Sequence, residues 1–174
     1  MRIRDATAAD LPEILAIYND AVLTTTAIWN ESVVDLENRL AWFSERRRLG
    51  YPVLIAEDAD KVIGYASFGD FRAWDGYRFT VEHSIYVGPD RRGNGVGRAL
   101  LAPLIERARL LGKHVIMAGI ESANEPSLRL HERMGFAPVG QLKEVGAKFG
   151  RWLDLIFMQR MLDDVGSPRL RGEG

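Results

Sequence analysis

The turn Arg91-Arg92-Gly93-Asn94-Gly95-Val96-Gly97 constrains this chain more than any other segment. It follows an apolar run, Phe79 to Val87, that Pro89 stops. It precedes a stretch, Val96 to Leu111, in which Leu100, Leu101, Leu104, Ile105 and Ala108 recur at helical spacing. A strand therefore delivers the chain to a glycine loop that opens a helix. Glycines let backbone N–H groups approach an anion, the helix N-terminus favours negative charge, and Arg92 and Arg98 can add charged hydrogen bonds. A pyrophosphate fits such a cradle; the plain alternative is a tight strand-to-helix turn with no ligand. A dinucleotide fingerprint fails because Arg98 stands where Gly93-x-Gly95-x-x-Gly needs its third glycine, and no Gly-Lys-Ser/Thr follows to make a P-loop.

The rest of the chain reads as a regular alternation. Met1 to Arg4 is a short strand, and Thr7 or Asp10 caps a helix carrying Leu11, Ile14, Leu15 and Tyr18, with Asp10 and Glu13 imitating a capping box. Val33 to Leu49 is a second amphipathic helix whose Arg46-Arg47-Arg48 run reads as a solvated helix end. Val53 to Glu57 and Lys61 to Phe68 flank a hairpin turn at Asp58-Ala59-Asp60. After the glycine turn, Pro103 is expected to kink the helix and Gly112 to end it. His114 to Ile120 is a strand, Asn124 to Met134 a helix with Pro126 in its first turn, and Phe136 to Val145 with Arg151 to Met161 a closing strand pair. This order predicts an α/β fold, a mixed sheet covered by helices, over residues 1–162, with a frayed tail at 163–174.

At 174 residues the chain fits one domain. A net charge of -1 offers no broad footprint for nucleic acid, and no run of about 18 apolar residues suggests a membrane span. Without an apolar leader at Met1-Arg2-Ile3-Arg4-Asp5, a cytoplasmic location is expected. The absence of cysteine removes thiolate metal sites and a cysteine acyl-enzyme, and the three histidines show no ligand pattern, so no metal is expected.

The order of elements and Arg92-x-x-Gly95-x-Gly97 resemble the GNAT superfamily of N-acetyltransferases, whose Gln/Arg-x-x-Gly-x-Gly/Ala motif cradles the coenzyme A pyrophosphate. Thr80-Val81-Glu82-His83-Ser84-Ile85-Tyr86-Val87, Asn124-Glu125-Pro126-Ser127 with Leu130-His131-Glu132, and Gly150-Arg151-Trp152-Leu153-Asp154 resemble its phosphinothricin and methionine sulfoximine branch. The resemblance implies a GNAT-like, mostly antiparallel sheet, acetyl-CoA as cosubstrate, and a homodimer in which Lys148 to Trp152 helps build a shared site. It places the loop from Arg92 through Gly93, Asn94, Gly95, Val96 and Gly97 to Arg98 on the pyrophosphate, and Ile85, Tyr86 and Val87 on the pantetheine. The Val87 N–H then polarises the thioester carbonyl. Asn124 and Ser127 contact the coenzyme arm or cap their helix.

Glu82 is the candidate general base, because an ammonium substrate must lose a proton before attack; the plain alternative is a carboxylate on a solvated strand face. His83 points to the opposite sheet face if the strand is regular, although it is a candidate for the substrate pocket. His131 stands where many GNAT enzymes have tyrosine, and is left between packing, coenzyme binding and proton donation to the leaving thiolate. Phe71, Arg72, Trp74 and Arg78 could receive a small acidic amino acid, with Trp29 and Thr24-Thr25-Thr26 completing the pocket; the alternative is an ordinary hairpin loop. The expected activity is direct acetyl transfer to the α-amino group of a small amino acid analogue such as methionine sulfoximine, methionine sulfone or phosphinothricin. A protein or peptide N-acetyltransferase and a silent acyl-CoA-binding module remain as alternatives.

Overall fold

Hydrophobic periodicity builds two cores, one on each side of a sheet. The computed structural model describes residues 1–162; the expected frayed tail lies outside the described residues. Its elements are β1 (Arg2–Asp5), α1 (Leu11–Thr24), α2 (Leu36–Arg48), β2 (Val53–Asp58), β3 (Lys61–Asp70) and β4 (Thr80–Val87), then α3 (Val96–Leu110), β5 (Val115–Glu121), α4 (Glu125–Arg133), β6 (Ala137–Lys148) and β7 (Arg151–Met161). The seven strands lie in the order β1-β2-β3-β4-β5-β7-β6, and every neighbouring pair is antiparallel except β4 and β5. On one face Leu11, Ile14, Tyr18 and Phe43 of α1 and α2 pack on Ile55 and Tyr65; on the other, Leu100, Leu101, Leu104 and Ile105 of α3 pack on Phe68, Val81 and Ile116.

The predicted order of elements is the observed one. Both Asp58-to-Lys61 and Lys148-to-Arg151 close as two-residue hairpins, with positive φ at Ala59, Asp60, Phe149 and Gly150, the condition for turns that match strand twist. Helix α3 runs unbroken through Pro103. The expected capping box of Asp10 and Glu13 is replaced by a longer-range arrangement. Asp10 accepts two bonds of 2.8 Å from the Arg4 guanidinium and one of 2.7 Å from the Thr7 N–H, which hold its carboxyl down at about 2, while Glu13 accepts from the Val62 N–H.

Two features of this fold set up the site. Gly64 of β3 would place a Cβ only 3.1 Å from Val96 and 3.3 Å from Leu100, so its lack of a side chain lets the first turns of α3 settle on the sheet beside the end of β4. The parallel pairing of β4 with β5 covers only Thr80–Glu82 against Val115–Met117, yet both strands continue beyond it. The sheet therefore forks between Val87 and Glu121.

Candidate active site

The fork opens into a cleft of about 1570 Å³ lined by both diverging strands, the glycine turn, the start of α4 and the loop after α1. Backbone direction along β4 follows from its bonds. Gly88 N–H donates to Ile63 and Phe71 N–H donates to Thr80, whereas the Phe79 carbonyl accepts from His114. Even-numbered residues thus point their backbone groups at β3 and odd-numbered ones at β5. Beyond the last paired residue, the N–H and C=O groups of Ile85 and the N–H of Val87 face the open fork. An extended polyamide such as pantetheine could pair there as a strand would. Tyr86 differs from its sequence assignment: its backbone turns to β3, and its ring packs 5.3 Å from Tyr65 and 6.2 Å from Tyr18.

At the mouth of the fork, Gly93 and Gly95 both adopt φ +79°, a region L side chains rarely enter, and neither has a heavy atom near the place of a Cβ. Conformation rather than crowding therefore demands glycine. The N–H groups of Val96, Gly97 and Arg98 open α3 with no carbonyl one turn earlier to accept them. Arg91, Gly93, Gly95, Gly97 and Arg98 line the cleft, and Asn94 does not. Arg92 also lines it, with its Nη2 engaged by Asp20 at 2.8 Å and its Nε by the Val87 carbonyl at 3.2 Å. It braces the end of β4 against α1. Arg98 makes no ion pair among the described residues, which leaves it to meet a phosphate. These groups fit an acyl coenzyme A: unpaired strand backbone for the arm, and a helix start with a cation for the diphosphate.

Glu82 faces α1 and α2. Its carboxylate lies over Gly119 of β5, 3.0 Å from where a Cβ would stand, with the Phe157 ring edge 3.8 Å from the same point. Burial raises its pKa, and Arg72 opposes that rise. Phe71 packs edge-on to Phe157 at 6.0 Å, and Arg72 lies 4.3 Å over the Phe71 ring. Glu82 thus has Phe157, Phe71 and Arg72 near it, although of these four only Glu82 lines the cleft itself. Trp74 is exposed, Arg78 sits over Phe79, and neither lines the cleft.

Around the rest of the cleft, one expected residue is displaced. Trp29 does not line the cleft; its ring lies against Gly146 of β6, where any Cβ would collide with it, and its Nε1–H donates to Thr26. Thr24, Thr25 and Thr26 do form cleft wall, secured by the Thr26 hydroxyl on Glu121 at 3.1 Å and by Lys148, whose ammonium donates to the carbonyls of Val22, Thr25 and Ile28 at 2.5–2.7 Å. His83 is on the face opposite Glu82, as strand alternation requires, and is buried against His131 and Phe136. His131 has both ring nitrogens engaged, Nδ1 with the Ser127 carbonyl at 2.7 Å and Nε2 with His83 at 3.2 Å. Asn124 caps α4 through the Ser127 N–H at 3.2 Å while also lining the cleft with Ser127. Among the described residues, no three His, Asp or Glu side chains converge as a metal site.

The Acetyltransferase (GNAT) family model matches residues 14–136, the stretch that holds the fork, the glycine turn and α4. The chain belongs to that family. It is a GNAT N-acetyltransferase that uses acetyl-CoA. An acetyltransferase from Salmonella typhimurium solved with its cofactor acetyl-CoA is 57% identical, with TM-score 0.95 over 97% of this chain and 98% of that one. An L-methionine sulfoximine/L-methionine sulfone acetyltransferase of Pseudomonas aeruginosa is 62% identical over 95% of this chain and 96% of its own. A phosphinothricin N-acetyltransferase of Alcaligenes faecalis is 43% identical over 88% and 79%. No helix among the described residues is long and apolar enough to cross a membrane.

Sequence reasoning missed Phe157 and Arg46. Phe157 carries no motif and is selected only by its pairing with Gly119. Arg46 lines the cleft instead of joining the solvated helix end formed by Arg47 and Arg48.

Proposed function

We propose that this enzyme acetylates the α-amino group of a small amino acid analogue of the methionine sulfoximine, methionine sulfone or phosphinothricin kind. The observation that carries the reading is the Glu82 carboxylate at the fork, with Phe157, Phe71 and Arg72 beside it. The names of the Pseudomonas and Alcaligenes relatives support the substrate class.

In this reading acetyl-CoA supplies the thioester. Glu82 takes a proton from the substrate ammonium, directly or through one water, and its raised pKa brings it closer to the task than an exposed glutamate would be. The freed amine attacks the thioester carbonyl. The Val87 N–H donates to the oxygen that gains charge; the C–S bond then breaks and the nitrogen gives its surplus proton to water, leaving the amide and coenzyme A thiolate. Neither ring nitrogen of His131 has a proton free for that thiolate, so water protonates it, and His131 acts through packing rather than as the acid. Asn124 and Ser127 hold the coenzyme arm at the start of α4.

The same reading makes the enzyme a cytoplasmic homodimer of 1–162 domains with no nucleic-acid or membrane partner. Edge strand β6 exposes Val139, Leu142 and Val145, and Phe149 and Trp152 are exposed beside them, an apolar surface that a second copy would cover. Thiol release with methionine sulfoximine, methionine sulfone, phosphinothricin, common amino acids and short peptides tests the substrate class. Peptide-only turnover would move the assignment to protein acetylation, and coenzyme binding without turnover to a silent module. Sedimentation at micromolar concentration tests the dimer, which a monomer would refute.

A further inference from the structure

Arg46 is half-buried at the end of α2, and its side chain makes no hydrogen bond among the described residues, even at the fully buried Nε. Its Nη atoms stand 2.7 and 2.8 Å from where Gly69 would carry a Cβ. The guanidinium thus occupies the missing side-chain position of Gly69. Gly69 is the register partner of Glu82, and residues paired directly across antiparallel strands share a face, with Cβ positions about 5 Å apart. Arg46 and Glu82 consequently line one cleft on the same sheet face, the guanidinium over β3 and the carboxylate turned over β5.

The surroundings hold the guanidinium without using its donors. The Trp42 ring is 6.0 Å away, and the Asp70 carboxylate, whose charge acts on the guanidinium, accepts a short bond from the Tyr51 hydroxyl instead. Five oriented N–H donors left unmatched in a cleft that also holds the half-buried Glu82 form a receptor for an anion. An α-amino acid presents an ammonium and a carboxylate on one carbon, so one substrate between β3 and β5 can offer its amine to Glu82 and its carboxylate to Arg46.

We propose that Arg46 is the specificity-determining residue that binds the substrate α-carboxylate while the α-amine meets Glu82. The side chain then extends toward Phe71 and Phe157, leaving Arg72 for a sulfoximine or phosphinic oxygen. This rests on the small amino acid reading above and replaces the loop arginines as the carboxylate site.

The test compares L-methionine sulfone with its α-carboxamide, measuring kcat and KM for wild type, Arg46→Gln, Arg46→Lys and Gly69→Ala. Wild type is expected to favour the acid. Arg46→Gln raises KM for the acid about 10- to 100-fold, leaves KM for acetyl-CoA unchanged, and loses little on the carboxamide; lysine restores part of the preference. Gly69→Ala retains the charge but pushes the guanidinium aside, so it too must reduce the preference for acid over amide, which keeps the test decisive if Arg46→Gln folds poorly. An acid-to-amide ratio unchanged in both variants overturns the role of Arg46 while leaving the substrate class standing. Failure of wild type to acetylate either compound, with turnover of peptides alone, overturns both.

Discussion

Nε2 of His131 lies 3.2 Å from Nε2 of His83, with the two rings only 14° from parallel. The Ser127 carbonyl can only accept, so His131 carries its proton on Nδ1 and accepts at Nε2. His83 must then donate from Nε2, and its Nδ1 is the buried nitrogen left without a partner. Protonating His131 at Nε2 would break this bond, and protonating His83 would bury a charge with its Nδ1–H unpartnered. Burial depresses both pKa values, that of His83 to about 3.

A pH dependence of stability follows. A depressed folded-state pKa contributes stability that is fully present above the ordinary imidazole value near 6.5 and is lost as pH falls toward about 3. Thermal unfolding from pH 8 to 4 should show a falling Tm below about 6.5 that His83→Phe blunts. A slope unchanged in that variant would contradict the neutral pair.

Lys148 is the most deeply buried cation among the described residues. Its three bonds close the turn that follows α1 and so fix Thr24 to Thr26 at the cleft wall. Lys148→Met should destabilise the fold by about 3 kcal/mol, because it leaves buried carbonyls unpaired. It should also raise KM for the amine more than for acetyl-CoA. Denaturant melts and steady-state kinetics check both outcomes.

At the glycine turn, a Cβ on Gly95 meets no atom, so Gly95→Ala is opposed by its φ of +79° alone, at about 1–2 kcal/mol. The predicted result is a raised KM for acetyl-CoA with the amine KM little changed. Arg98→Ala should show the same split without the stability loss, because its guanidinium holds no other group.

The layers and the glycine turn were readable because apolar spacing and local φ requirements are carried by neighbouring residues. Glu82 and Asn124 were readable through their motifs, and strand alternation already set His83 against Glu82. Arg46 was not readable: a run of three arginines at a helix end looks solvated until packing of α2 lays one of them in the hollow of Gly69, more than twenty residues away. Trp29 failed for the converse reason, since an aromatic residue in a cleft loop finds a better surface on Gly146, supplied by a hairpin late in the chain. Both outcomes depend on contacts between distant segments, each allowed by a side chain that is absent.

The most direct measurement is kcat/KM for L-methionine sulfone across pH in wild type and Glu82→Gln, followed by thiol release. The account predicts a wild-type rate rising with pH through an apparent pKa above the ordinary glutamate value of 4.5, and a loss of about 100-fold or more in the variant at neutral pH. A Glu82→Gln enzyme within a few-fold of wild type, with the same pH profile, would contradict the assignment of Glu82 as the base.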